Sequence, residues 1–176
     1  AQAYLLRATS ALERGDYASA GADASKSIAT GSAPALAYYV EGYAHYNQKQ
    51  YSSAYRSFEA FTSRAGQDES LRRADALARM GDCLLIQKKS AEALALYRRA
   101  DEGMPSGSDE ALYRVATIYG RWGQYSKQIE TLDRIIKTHP QSTHLPEVLY
   151  DKGRALVLSK ARAEQATAVF DELVKR

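Results

Sequence analysis

Residues 38–61 read YYVEGYAHYNQKQYSSAYRSFEAF, and their apolar and small positions fall into two helical registers. Tyr38, Gly42 and His45 recur at i, i+4 and i+7, which is the spacing of one helix face. Beyond a polar turn at residues 47–50, Ala54, Phe58 and Phe61 repeat the same spacing. A glycine inside a helix costs about 0.5–1 kcal/mol relative to alanine, so Gly42 calls for a packing reason. With Ala54, twelve residues on, it is expected to mark the closest approach of two antiparallel helices, at an interaxial distance of about 8–10 Å or less.

The remainder of the chain repeats this hairpin. Ala8, Gly42, Gly81, Ala116 and Gly153 follow at intervals of 34, 39, 35 and 37 residues. Twelve residues after the first three stand Ala20, Ala54 and Ala93; the fourth copy has Gln128, and the fifth reaches Ala166 one residue late. Four further come Ala24, Phe58, Tyr97, Leu132 and Phe170, and then, three further, Ser27, Phe61, Ala100, Ile135 and Leu173. Three of the turns carry a tyrosine (Tyr17, Tyr51, Tyr125), and Pro105 and Pro140 close the third and fourth copies. The pattern predicts helices at 2–14, 17–30, 34–48, 51–64, 68–87, 90–102, 109–121, 125–138, 146–159 and 162–175. Ser108 with Asp109 reads as an N-cap. The long interval before Gly81 predicts a longer loop at residues 63–73, with Gly66 ending one helix and the next beginning early. The fifth turn, at residues 159–163, carries an extra residue.

These positions resemble the tetratricopeptide repeat, whose pattern is large–x2–L–G–x2–Y, then A–x3–F–x2–A, then P. The second copy fits best, and the first is weakened by Ala24 and Ser27. The resemblance implies an all-α, right-handed superhelical solenoid of stacked antiparallel hairpins. It is expected to form one array over 1–176, with repeats at 1–34, 35–73, 74–108, 109–145 and 146–176. Residues Ile135, His139, Pro140, Pro146, Leu149 and Gly153 also resemble, more loosely, repeats of bacterial cell-envelope proteins such as the Tol–Pal coordinating family. That likeness implies a periplasmic or envelope setting.

Composition narrows the classes. The chain is 45% hydrophobic and 26% charged, a balance typical of folded domains and unlike that of disordered ones. No apolar run approaches the roughly 18–20 residues of a membrane helix, so direct membrane insertion is not expected. No signal peptide is visible, and a start at Ala1 without an initiator Met suggests a piece of a longer protein. A net charge of +3, with acidic residues interleaved among Arg72-Arg73, Lys88-Lys89 and Arg98-Arg99, gives no basis for nucleic-acid binding. The single cysteine, Cys83, stands two residues after Gly81 and is expected to be a buried structural thiol.

Catalytic patterns are missing. His45, His139 and His144 form no metal spacing and no carboxylate–His pair on one helix face is found, so no metal or cofactor is expected. No nucleophile elbow, phosphate loop or dinucleotide fingerprint occurs, and the chain reads as a non-enzyme. What stands out is an excess of tyrosine: 13 Tyr against 3 Phe and 1 Trp. Tyr4, Tyr17, Tyr38, Tyr51, Tyr97, Tyr119 and Tyr125 occupy packing positions of the repeat. Tyr39, Tyr43 and Tyr46, at i, i+4 and i+7, share a face about 100° away from that of Gly42. Tyr113 and Tyr150 occupy the place equivalent to Tyr39 in the fourth and fifth copies.

In the family this face lines the concave groove that binds extended or helical partner segments. The resemblance therefore implies a peptide-binding groove of Tyr39, Tyr43, Tyr46, Asn47, Asp82, Tyr113, Arg121, Tyr150 and Arg154, with Asp82 on its rim and the arginines available to a weak acidic contact. The same rings could instead pack half-buried against the neighbouring first helix. The Lys–Asn carboxylate clamp known in the family is not matched: its positions read Leu5 and Thr9, Tyr39 and Tyr43, Ala78 and Asp82, Tyr113 and Thr117, Tyr150 and Arg154. The implied function is a scaffold for a protein or peptide partner. The alternatives are self-association through Val169, Phe170 and Leu173 on the last helix, or a partner-positioning module of a larger envelope protein.

Overall fold

A computed structural model describes residues 1–103, 108–159 and 163–175. They form ten α-helices joined by short turns: α1 (Gln2–Glu13), α2 (Tyr17–Ala29), α3 (Ala35–Asn47), α4 (Tyr51–Arg64), α5 (Ser70–Ile86), α6 (Ser90–Glu102), α7 (Asp109–Arg121), α8 (Tyr125–Thr138), α9 (Leu145–Leu158) and α10 (Ala163–Lys175). No strand occurs among the described residues. The boundaries fall within a residue or two of the sequence expectation. The chain divides into two compact units, 1–103 and 104–176. The first holds the hairpins α1/α2, α3/α4 and α5/α6, with α2 packed on α3 and α4 on α5. The second holds α7/α8 and α9/α10, with α8 packed on α9. Pro105 and the predicted extra residue in the last turn lie outside the described residues.

Four hairpin turns share one construction. Asp16, Gln50, Lys89 and Gln124 each donate a backbone N–H, at 2.9 Å, to the carbonyl five residues back: Ala11, His45, Leu84 and Tyr119. The preceding residue is left-handed in every case: Gly15 (φ 75°), Lys49 (61°), Lys88 (63°) and Gly123 (69°). This is the Schellman end of a helix, which satisfies carbonyls that the helix leaves unpaired. Ser108 caps α7 as expected, accepting from the Ala111 N–H at 3.2 Å. Asp16 caps α2 through the Ser19 N–H at 3.1 Å. In the long third interval, Gly66 precedes a single 3-10 turn, Gln67–Glu69, before α5 begins at Ser70. The Arg73 guanidinium ties that loop down by donating to the Ala65 and Gly66 carbonyls.

Within each unit the cores lie between the helices of a hairpin and the hairpin packed on it. In the second, third and fifth hairpins the glycine of the first helix is met there by an aromatic ring rather than by the small residue opposite. A methyl placed on Gly42 would lie 2.7 Å from Cδ1 and Cε1 of Phe58, and one on Gly81 would lie 2.8 Å from the Tyr97 ring. Gly153 holds Phe170 in the same way, at 2.5 Å. Gly42 is thus explained by the ring of Phe58, not by a backbone approach to Ala54 as the sequence suggested. Phe58, Phe61 and Tyr97 are fully buried, each burial contributing about 1.5–3 kcal/mol. Cys83 is buried as expected, and burial, with the neighbouring Asp82 charge, pushes its thiol up to about 12. Tyr4, expected in the packing, is instead exposed, with the Lys26 ammonium 5.9 Å from its ring centre.

Candidate functional site

The tyrosine stripe of the first unit is built on α3. Tyr39, Tyr43 and Tyr46 project along one side, and each is half-buried. Tyr39 meets Tyr43 edge-on at 5.0 Å between ring centres and lies 5.0 Å from Phe61. Tyr43 stands at 90° to Phe58 at 5.3 Å, and Tyr46 meets Tyr51 at 5.7 Å. Such pairs add about 0.5–1.5 kcal/mol to the burial of the rings.

The hydroxyls all reach α5. Tyr39 and Tyr43 donate to the same Asp75 oxygen, Oδ2, at 2.8 and 2.5 Å. Tyr46 donates to Asp82 Oδ2 at 3.2 Å, while Tyr97, from α6, donates to Asp82 Oδ1 at 2.6 Å. Arg79 joins the two carboxylates. Its Nη1 donates to Asp82 Oδ2 at 2.5 Å, and its Nε lies 3.6 Å from Asp75 Oδ1. Its guanidinium carbon sits 5.9 Å from the Tyr46 ring centre. Burial, then the Asp75 charge and its hydrogen bonds, pushes the Tyr39 and Tyr43 phenols well above their ordinary range; burial and then the Asp82 charge raise Tyr46.

Asp82, expected on the rim, is only 6% exposed and belongs to this buried network. The sequence reading missed Asp75 and Arg79. Asn47 is exposed, and its amide donates to the Tyr43 carbonyl at 2.9 Å.

The second unit repeats the motif once. The Tyr113 hydroxyl, on α7, donates to Asp151 Oδ2 of α9 at 3.1 Å, and its ring stacks on His144 at 5.6 Å and 10°. Burial and the Asp151 charge raise the Tyr113 phenol to about 12. Arg154 lies 3.8 Å from the other Asp151 oxygen. Tyr150 is 53% exposed and its ring centre is 6.4 Å from that of Phe170; Arg121 is exposed. At the start of α7, Ser142 donates to Asp109 Oδ2 at 2.6 Å. Burial alone would raise Asp109, but the Ser142 hydroxyl, the Glu110 N–H and the two nearby histidines hold its carboxyl below the ordinary value.

One sequence statement is overturned. Glu41 and His45 stand one helical turn apart on α3 and line a shallow surface pocket with Ser53, Arg56 and Ser57, so a carboxylate–His pair does share a face. Glu41 is held by the hydroxyls of Ser25 and Ser57, at 2.6 and 2.9 Å, and His45 Nδ1 by Gln50 at 2.7 Å. Among the described residues no group of three or more His, Cys, Asp or Glu side chains is arranged to hold a metal ion, and no helix is long and apolar enough to cross a membrane.

On the last hairpin, Val169 is buried, and Phe170 and Leu173 pack half-buried against the core of Ile129, Leu149 and Leu156. The exposed apolar side chains there are Val157, Leu158 and Val174.

Residues 110–142 match the family model of the tetratricopeptide repeat. Among curated proteins, none matches the chain at a significant level. Solved structures match its fold throughout. A crystal structure of MamA aligns with a TM-score of 0.82 at 17% identity, covering 99% of this chain and 90% of the other. MamA from residue 41 onward of Desulfovibrio magneticus RS-1 gives 0.80 at 19%, covering 99% and 93%. YrrB, described as a tetratricopeptide-repeat protein with an unusual peptide-binding site, gives 0.77 at 19%, covering 98% and 84%. The tetratricopeptide resemblance read from the sequence therefore holds, in one repeat by sequence and along the chain by fold.

Proposed function

We propose that this chain is a non-catalytic interaction scaffold that holds a segment of a partner protein against the first-helix faces of its hairpins. The centre of the face in the first unit is Tyr39, Tyr43 and Tyr46, with Asn47 beside them; Tyr113, Tyr150, Arg121 and Arg154 supply the equivalent surface in the second. The five hairpins act on this reading as one array. The observation that carries it is the α3 stripe: three rings on one face, half-exposed and fixed in orientation by Asp75 and Asp82. Rings held rigid lose little entropy on binding, which suits tyrosine to recognition surfaces. Such a use of the fold accords with YrrB, whose description names a peptide-binding site. A cell-envelope setting rests only on the loose likeness of residues 135–153.

The test is a pull-down from the source cell with the wild-type chain and a Tyr39→Ala/Tyr43→Ala variant of matched helicity. Loss of the same partners in the variant is the expected result; equal recovery overturns the reading.

A second reading, self-association through the last hairpin, is favoured by the exposure of Val157 (50%), Leu158 (47%) and Val174 (85%). Sedimentation over a range of concentrations decides it, with Val157→Ser/Val174→Ser expected to abolish any dimer.

A further inference from the structure

The chemistry left open on the α3 face says what kind of partner it takes, granted the scaffold reading above. Of the donors on the stripe, all three hydroxyls are engaged, and a single N–H of the exposed Asn47 amide is left over. The hydroxyls of Tyr39 and Tyr43 go to Asp75 and that of Tyr46 goes to Asp82, while the Asn47 amide goes to the Tyr43 carbonyl. Beside that one N–H, what remains available is acceptors: phenol lone pairs, the Asn47 oxygen and carboxylate oxygen. Asp75 and Asp82 share the guanidinium of Arg79, whose side chain is 13% exposed, whereas Asp75 is 33% exposed. Arg72, one helical turn away, acts on the Tyr39 phenol but lies within 4.0 Å of a third carboxylate, Glu69. The surface is therefore aromatic, rich in acceptors and locally acidic. A partner must bring hydrogen-bond donors and positive charge, the reverse of what a carboxylate clamp selects. The molecule itself contains this mode of contact: Arg79 lies by the Tyr46 ring, and the Arg64 guanidinium lies 4.5 Å from the centre of the Tyr38 ring.

We propose that the Tyr39–Tyr43–Tyr46 face takes an apolar protein segment carrying a lysine or arginine side chain, the cation docking at Asp75 between the phenol rings. The rings supply contact area, and Asp75 supplies the charge that sets the preference. The hydroxyls act as positioning groups, holding rings and carboxylate in register without touching the partner as donors.

Random linear peptides displayed on phage are selected on the full chain, then resynthesised and measured by fluorescence anisotropy at low and high salt. The selected peptides are expected to carry Lys or Arg next to an aliphatic or aromatic residue and to bind more weakly at high salt. Asp75→Asn, which keeps an acceptor for both hydroxyls, should weaken binding about tenfold or more. Tyr39→Phe/Tyr43→Phe should keep the preference for basic peptides but bind a few-fold more weakly, since the rings and Asp75 stay while the bonds that hold them in register are lost. Tyr39→Ala/Tyr43→Ala should not bind.

Selection of acidic peptides, or of peptides that need a free C-terminal carboxylate, overturns the proposal. Ring-dependent peptides indifferent to Asp75→Asn overturn the basic partner and leave the scaffold reading standing. Absence of any ring-dependent peptide overturns both. Should Asp75→Asn lose helicity, replacing Lys by Glu in the peptide tests the same contact on the unaltered chain: unchanged affinity overturns the proposal.

Discussion

Gly42→Ala puts the packing argument at risk with one methyl group. Alanine is favoured over glycine within a helix by about 1 kcal/mol, so propensity alone predicts stabilisation. The new Cβ, however, would sit 2.7 Å from two carbons of the Phe58 ring. Ordinary contact between carbons is about 3.5–4.0 Å, so ring or helix must yield by close to 1 Å. Phe58 is fully buried among Tyr39, Tyr43 and the hairpin core and has nowhere to go. Overpacking of this kind costs about 1–3 kcal/mol, which outweighs the propensity gain. The expected net loss is about 1 kcal/mol, or about 2–4 °C in Tm for a chain of this size. The control is Gly21→Ala on α2, where a Cβ would meet Ala44 at 3.4 Å and the propensity gain should survive. Thermal and urea unfolding followed by far-UV circular dichroism compare the two. Adding Phe58→Leu should rescue Gly42→Ala in a double-mutant cycle. If Gly42→Ala raises Tm as Gly21→Ala does, the ring is not what the glycine is for.

Other outcomes follow from the same geometry. Lys49→Gly and Lys88→Gly relieve side chains held at φ 61° and 63°, and each should stabilise by about 0.5–1 kcal/mol in urea titrations; a loss would refute the strain. Asp82→Ala leaves Arg79 largely buried, with two tyrosine hydroxyls losing their acceptor, and should cost about 3 kcal/mol; an effect no greater than that of a surface substitution would show the network to be slack. The Tyr39, Tyr43 and Tyr113 phenols are raised above the ordinary 10.0 in the folded chain, so the folded state favours their neutral form. The stability this gives is complete below pH 10 and is lost as pH rises above it, so alkaline unfolding should coincide with phenolate absorbance. Phenols that ionise near pH 10 in a chain that stays helical would contradict the buried contacts.

The helices were legible because one constraint recurs. Down the chain, the small residue of each first helix pairs with the large position of the second: Ala8 with Ala24, Gly42 with Phe58, Gly81 with Tyr97, Ala116 with Leu132, Gly153 with Phe170. Where the partner is aromatic the small residue is glycine, and where it is aliphatic or small the residue is alanine. A six-membered ring needs the volume that a methyl would take, and Leu132 or Ala24 does not. The reading paired Gly42 with Ala54 because spacing shows only that both are small. Which atoms fill the gap depends on where the ring of Phe58 lies. The turns hid a similar rule: Lys49 and Lys88 occupy the place of Gly15 and Gly123, so the left-handed position was present in the repeat under a residue type that does not announce it.

The tyrosine face was legible in part for a related reason. Periodicity along α3 places Tyr39, Tyr43 and Tyr46 on one side, since that depends only on 3.6 residues per turn. It cannot say what the hydroxyls reach, because Asp75 and Asp82 belong to another helix. The repeat itself carried the missing signal. Tyr39 reaches Asp75 and Tyr46 reaches Asp82 across 36 residues, and Tyr113 reaches Asp151 across 38, close to one period each time. An acidic residue about one period beyond an unexplained tyrosine is what two neighbouring first helices need if a half-buried phenol is to find its acceptor. The same arithmetic moves Asp82 from rim to interior: a carboxylate that accepts from Tyr46, Tyr97 and Arg79 is drawn under the rings, and it leaves Asp75, with a third of its side chain exposed, as the acid of the network that is open to solvent.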